Sequence, residues 1–268
     1  MLYYHESIYR IATYPGQPPI MHARFYHPEE ITAGTVIELS AENKHHAARV
    51  LRLKEGDAIT LFNGQSGEFS AHITSITKSS TTVRVDAYHA MDRESPLSIE
   101  LAQAVCVNEK MDWIIQKAVE LGVTRIQPVT TARSIVHLSG ERADKRQQHW
   151  QKIVISACEQ CGRNHVPQIL SLISLPEWLS RKKSGRSPHD ICFMLSTTAT
   201  QSLKEIPKPP AGANLALVIG PEGGFTPEEE VAVLHTGFVP VRLGKRILRT
   251  ESAALTAIAA LQTLWGDF

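Results

Sequence analysis

Between residues 21 and 90 apolar and polar positions alternate over short runs: HARFYH, TVIEL, AITLF, GEFSAHITSI and TTVRVDA. A two-residue period belongs to strands with one face on a core. One helical run, AENKHHAARVL, interrupts them, and Gly56-Asp57 and Asn63-Gly64 punctuate the rest as tight turns. Short strands at regular spacing predict a small β-barrel-like module. The stretch AMDRESPLS, residues 90–98, has no period and carries a proline, which suggests a boundary. The expected division is a domain over 21–90, a linker over 91–97 and a second domain over 98–268.

Beyond the boundary the period itself changes along the chain. The run IELAQAV reads as a strand and NEKMDWIIQKAVELG as a helix, in which Trp113, Ile114, Lys117, Ala118 and Leu121 recur at helical spacing and Gly122 supplies the stop. A strand RIQPVTT, a helix over about 142–162, strands DICFMLS and LALVIG, a helix PEEEVAVLHTG and a strand FVPVRLG follow. Strands alternating with helices imply an α/β domain, a parallel sheet covered on both faces. The last helix, ESAALTAIAALQTLW over 251–265, is apolar nearly all round except for a stripe of Ser252, Thr256 and Thr263. Such a helix must be buried on most sides. Either the C-terminus is threaded into the fold, or a second subunit covers it.

Composition narrows the function only by exclusion. The 268 residues suffice for two ordinary domains, and 43% apolar with 21% charged residues is globular. Lys and Arg (28) nearly cancel Asp and Glu (27), so any basic surface for nucleic acid must be local. No apolar run reaches the roughly eighteen residues a membrane span needs, and the expected location is the cytoplasm. The first twenty residues are rich in tyrosine, contain PGQPP and read as a flexible extension or an upstream translation start. The cysteines at 106, 158, 161 and 192 give one CxxC at the end of a helix rather than its start, which predicts reduced thiols and no zinc site. His45 and His46 diverge on a helix and cannot share a metal, so no metal is expected. The run RKKSGR, 181–186, reads as an exposed loop.

Two loops carry the chemistry. IGPEGGFTPEEE, residues 219–230, is a strand end, a turn opened by glycines, and a helix start with Thr226 as N-cap, Pro227 at the first position and Glu229 in the capping-box position. A phosphate would meet Glu222 and the glutamates of the helix start, and neither GxGxxG nor a P-loop is present. A ligand with hydroxyls, a heterocyclic edge or positive charge fits better; a plain turn with Glu222 in water is the other reading. VRLGKRILRTES, residues 241–252, crowds Arg242, Lys245, Arg246 and Arg249 into a loop at the C-terminal end of a parallel strand, where open α/β sheets bind ligands. A solvated basic turn is its alternative.

GPEGGFTPEE with LGKRILRTES resembles the paired signature of the knotted SPOUT-class methyltransferases, and the nearer resemblance is to the ribosomal RNA small subunit methyltransferase E family. HHAARVLRLKEGD, EKMDWIIQKAVELGV and SACEQCGRNHVP extend the likeness from residue 21 to the C-terminus; the family usually has threonine where Ser252 stands. The resemblance implies a SPOUT-type parallel sheet with a deep C-terminal trefoil knot, preceded by a small PUA-like β-barrel domain that binds RNA. It also implies a homodimer with S-adenosylmethionine as cofactor and N3 of a uridine in 16S ribosomal RNA, in the assembled small subunit, as substrate. The cofactor pocket would take Leu195, Ser196 and Thr197; Ile219, Gly220, Pro221, Glu222, Gly223 and Gly224; and Leu243, Gly244, Arg246, Ile247, Leu248 and Arg249. Uridine N3 bears a weakly acidic proton, so a base or an anion-stabilising cation is required. Arg249 is the candidate stabiliser and Glu251 or Glu222 the candidate base. Candidate RNA contacts are Arg24, Lys44, Arg49 and Arg52 in the first domain, with Arg49 and Arg52 on one helical face, and Gln160 and Arg163 at the helix end EQCGRNH. Glu109 and Lys110 would border the cleft. The alternatives are a knotted ribose 2′-O or tRNA methyltransferase, and a non-catalytic RNA-binding protein that senses the cofactor.

Overall fold

The computed structural model describes residues 22–65, 67–136, 138–185 and 187–268. The expectation for residues 1–20 lies outside the described residues. The chain forms two compact units: one of residues 22–62 and 68–89, the other of residues 63–67 and 90–268.

The first unit is one five-stranded sheet made of β1 (Ala23–Tyr26), β2 (Val36–Glu38), β3 (Ala58–Phe62), β4 (Glu68–Ile76) and β5 (Thr81–His89). Its order is β1-β3-β4-β5-β2, with β1 parallel to β3 and the other pairs antiparallel. The edges β1 and β2 do not pair with each other among the described residues, so the sheet is not closed into a barrel by strand pairing. The alternation of the sequence does its expected work, since Ile59, Leu61, Ala71, Ile73, Val83 and Val85 are buried in one cluster with Phe25 and Leu39. The predicted helix is shorter than its run. Ser40 caps α1 (Ala41–His45) by accepting from the Asn43 amide, and the chain then widens into a π turn, His46–Val50. His46 packs edge-on against Phe25 while His45 stays exposed, so the two imidazoles do diverge.

The second unit is a parallel sheet of β6 (Ser98–Ala104), β7 (Arg125–Thr130), β8 (Gln168–Ile169), β9 (Ile173–Ser174), β10 (Ile191–Leu195), β11 (Asn214–Ile219) and β12 (Val239–Val241). The order is β12-β10-β11-β6-β7-β8, with β9 also pairing β7. Residues 91–97, expected as a linker, are bound into this unit by hydrogen bonds: Asn164 donates to Met91 O, Arg93 to Gly162 O, and Ser95 to Gln262. Because strand side chains alternate, each strand feeds two cores. One face (Ala102, Val129, Met194, Ala216 and Val218) packs under α4 (Leu175–Gly185) and α5 (Pro227–His235). The other is covered by α2 (Asn108–Glu120), α3 (Glu141–Cys161) and α6 (Thr250–Trp265), with Phe193 stacked on Trp265.

Two local expectations change, and a third holds with one residue added. The buried face of α2 is Met111, Ile114, Ile115, Ala118 and Val119, while Trp113 stands 45% exposed. Indole at that position therefore marks the outer face and not the core. Residues 181–185 of the run expected as a loop complete α4 instead, because Leu175, Trp178 and Leu179 give the preceding turns an apolar stripe. Helix α6 buries Ala254, Ala257, Ile258, Leu261 and Trp265 as its composition requires, and Thr256 and Thr263 do face outward. It carries one more polar residue, Gln262, which is wholly buried; its amide donates to Leu121 O and its carbonyl accepts from Ser95 Oγ.

Candidate active site

The glycine turn leaves β11 at Ile219. Gly220 is pressed against Phe225, whose ring would lie 3.4 Å from any Cβ there, and Gly224 has φ 69°, a left-handed conformation that favours glycine. The Gly224 amide closes the turn on Pro221 O, and Thr226 and Glu229 form the expected capping box at the start of α5. The loop after β7 clasps this turn from outside. Arg133 Nη1 donates to Gly223 O (3.0 Å) and Phe225 O (3.1 Å), and the Ala132 amide donates to Glu229 Oε1 (2.7 Å). Nothing in the motif GPEGG announces that clasp, since its two partners are ninety residues apart in the chain.

The second loop, 243–249, leaves β12 and enters α6. Residues 243–248 make no backbone hydrogen bond among the described residues, so their N–H and C=O groups are available to a ligand. Thr250, almost fully buried at the head of α6, ties the two loops together. Its hydroxyl donates to Gly220 O (2.7 Å) and accepts from Gln103 Nε2 (3.1 Å) at the end of β6. The result is one cavity of about 440 Å³ at the C-terminal edge of the sheet. Leu195, Ser196 and Thr197 line it, as do Ile219, Gly220, Pro221, Glu222 and Gly224, and Leu243, Gly244, Arg246, Ile247, Leu248 and Arg249. Of the residues expected there, Gly223 is the one that turns away, against Arg133. Lys110, expected to border the cleft, is in the wall, and Phe225, Glu230, Thr250 and Ala253 join it without having been named for it.

Charge in the cavity is divided. Lys110 Nζ lies 3.1 Å from Glu222 Oε1 and 4.0 Å from Glu251 Oε2. Burial pushes the Glu222 carboxyl up, but its own amide, the Lys110 ammonium and the Val107 amide outweigh that and hold it below the usual carboxylate range. Glu251 Oε2 is buried with no hydrogen-bond partner, and Glu251 stands behind the lining rather than in it. Next to these groups the Cys106 thiol is pushed up to about 12 by burial and by Glu222 and Glu251, against the pull of Lys110. The thiol is therefore held neutral, and it does not line the cavity. Arg249 is exposed on the cavity rim; its carbonyl accepts from the Ala253 amide, but its guanidinium makes no hydrogen bond or ion pair among the described residues. A lysine in the first turn of a helix opposes the helix dipole, which is the sequence signal that Lys110 serves something other than α2.

The expected RNA contacts separate into two groups. Lys44, Arg49, Arg52 and Gln160 are at the surface, with Lys44 donating to Ser79 O. Arg24 is not: it is 8% exposed, paired with Glu68, and lies over the Phe62 ring at 4.9 Å. Arg163 is 5% exposed, forked onto Glu94, with Nη1 donating to Val119 O and Val123 O. Both guanidiniums are consumed by buried partners, so these two expectations are corrected. Arg163 instead caps the C-terminal end of α2 through Val119 O and Val123 O. Arg49 and Arg52 do not share a helical face either, because the π turn ends before Arg52.

The sequence of this chain matches the model for an RNA methyltransferase domain over residues 93–262 and that for an RNA methyltransferase PUA domain over residues 39–86. The ribosomal RNA small subunit methyltransferase E of Buchnera aphidicola (subspecies Acyrthosiphon pisum) is 35% identical over 245 residues, covering 91% of this chain and 94% of the relative. The chain belongs to the ribosomal RNA small subunit methyltransferase E family. Two solved structures of similar proteins match it over most of its length. A putative methyltransferase of Legionella pneumophila, in complex with bound S-adenosylmethionine, superposes with TM-score 0.87 at 39% identity, covering 93% of this chain and 100% of the other. The family member of Neisseria gonorrhoeae, bound to S-adenosyl methionine, gives 0.84 at 42% identity, covering 92% and 99%. Within the family, then, the parallel sheet and the cavity at its edge belong to an RNA methyltransferase domain, and the first unit to a PUA domain.

Proposed function

We propose that this chain transfers the methyl group of S-adenosylmethionine to N3 of a uridine in 16S ribosomal RNA, acting in the cytoplasm on the assembled small subunit. The observation that carries the reading is the single cavity made by the glycine turn, the 243–249 loop and the strand end 195–197. Its residues suit the cofactor. Glycine admits close backbone approach, the unpaired backbone of 243–248 can read a heterocycle edge, and the ionised Glu222 favours a cationic ligand over a phosphate.

When bound, the cofactor supplies an electrophilic methyl group on a sulfonium, and the protein's task is to orient the acceptor and exclude water. Arg249, free of protein partners on the rim, stabilises the uridine anion that N3 must become. The proton is taken by Glu222 or Glu251. Glu222 lines the cavity but is already stabilised as an anion, which weakens it as a base. Glu251 keeps one carboxylate oxygen without a donor, but behind the lining. Lys110 holds both carboxylates in place.

We further propose that the C-terminal half is knotted and dimeric. The strand order supports a trefoil, because β12 pairs outside β10 after β11 has been laid inside, and the chain then returns across the sheet to pack α6 on α2, β6 and β11. The outward Trp113 on α2 and Leu264 on α6, 45% and 41% exposed, supply apolar surface for a second copy. Among the described residues no group of three or more metal-ligating side chains occurs, and no helix is long and apolar enough to cross a membrane.

Mass mapping of 16S RNA from a strain lacking the gene, with and without this chain restored, tests the reading. Restoration of one base-methylated uridine is expected. A restored ribose methyl or a change confined to tRNA points to the rival knotted enzymes, and unchanged RNA points to the cofactor sensor.

A further inference from the structure

Arg52 is the one non-glycine residue with positive φ among the described residues, at 52°. Its place in the fold explains the conformation but not the residue. The π turn His46–Val50 is closed by the Leu51 amide on His46 O and then by the Leu53 amide on Ala47 O, and the second bond forms only if residue 52 turns left-handed. That is the position after a helix end where glycine is the ordinary occupant, because any Cβ there crowds the backbone. The chain nevertheless carries an arginine, exposed and without a hydrogen bond or ion pair among the described residues. Packing cannot be what retains it.

The surroundings point to a polyanion. Between Glu42 and Glu55, residues 43–54 hold Lys44, Arg49, Arg52 and Lys54 and no Asp or Glu, in a chain whose net charge is only +1. Arg49 is likewise exposed and unpartnered, and Val50 between the two arginines is 59% exposed. The π turn adds one residue to the last turn, which rotates Arg49 and Val50 out of the α-helical register shortly before Arg52. π turns and strained residues cluster where a surface binds something.

We propose that the π turn with its left-handed Arg52 is the element of the first unit that grips the RNA backbone, the Arg49 and Arg52 guanidiniums each taking a phosphate and Val50 resting on the intervening sugar. The inference rests on the rRNA-substrate reading above and adds the means of contact: side-chain charge kept at the expense of backbone comfort.

The two contributions of Arg52 have opposite signs, which makes the test direct. Arg52→Gly relieves the backbone and deletes the charge; Arg52→Ala deletes the charge and keeps the strain; Arg52→Lys keeps both. Binding of each to a 16S rRNA transcript and to small subunits is measured across a salt series, alongside thermal unfolding. Arg52→Gly is expected to unfold at or above the wild-type temperature while losing several-fold in affinity, and its salt slope should fall by about 0.7–1, the value of one phosphate contact. Arg52→Ala should lose the same affinity with no thermal gain, and Arg52→Lys should keep the slope. An Arg52→Gly protein that binds with unchanged slope overturns the proposal while leaving the methylation reading standing. A wild-type chain with no salt-dependent binding to either RNA overturns that reading first.

Discussion

Replacing Thr250 by valine removes one hydroxyl and almost no volume, so it asks whether the hydrogen-bond relay at the head of α6 holds the cofactor cavity. In the structure the hydroxyl sits between the Gly220 carbonyl at 2.7 Å and the Gln103 amide at 3.1 Å. The Gly220 carbonyl loses its partner in a nearly dry site, a loss of about 1–3 kcal/mol. Gln103 keeps its bond to Ala104 O, so its share is a net bond of about 0.5–1.5 kcal/mol. Together they predict about 2–4 kcal/mol off the unfolding free energy. Because Gly220 lines the cavity, roughly a third to a half of that should reappear as weaker S-adenosylmethionine binding, about tenfold at 1.4 kcal/mol. Urea unfolding of the free protein reads the first quantity and titration calorimetry the second. Thr250→Ser keeps the hydroxyl and should restore most of both. A valine variant within about 0.5 kcal/mol of wild type and unchanged in cofactor affinity would refute the claim that this relay fixes the glycine turn.

Three further outcomes are expected. Gln262→Leu strips the buried link from α6 to Leu121 O and Ser95 Oγ and should destabilise the protein by about 2–4 kcal/mol in urea unfolding. Cys106 should resist iodoacetamide at pH 8 in the native protein and react once it is unfolded. Its folded-state pKa, about 12, lies above the ordinary 9.0, so the thiol adds to stability below pH 9 and that contribution drains away as pH rises toward 12; Cys106→Ala should flatten the alkaline side of the melting profile. Arg249→Ala, exposed and unpartnered, should melt like wild type but lose at least tenfold in methyl transfer, read by single-turnover tritium transfer; full turnover would remove it from the mechanism.

Much of the site was legible because it is local. A turn opened by glycines followed by Thr226, Pro227 and Glu229 declares a strand-to-helix corner in any context, and fourteen of the fifteen cavity residues expected from the two loops and the strand end do line it. The failures share a cause. Arg24 and Arg163 looked like surface cations, but Glu68 and Glu94, which neutralise them, lie 44 and 69 residues away. The Arg133 clasp and the Thr250 relay span 90 and 30 residues for the same reason. A residue's own neighbours in sequence cannot report a partner that only folding delivers.

By itself the sequence determined the elements and their class: alternation gave the strands, the helical period gave the crossovers, and the apolar α6 required an interior to enter. Those properties are set by each residue's backbone preferences and by the side of its element that it faces. Tertiary structure decided which cations are spent and which are free, where Glu251 stands relative to the cavity, and that Arg52 holds a conformation meant for glycine. Each of these depends on a balance between desolvation and a distant partner, and that balance exists only once the chain has closed around it.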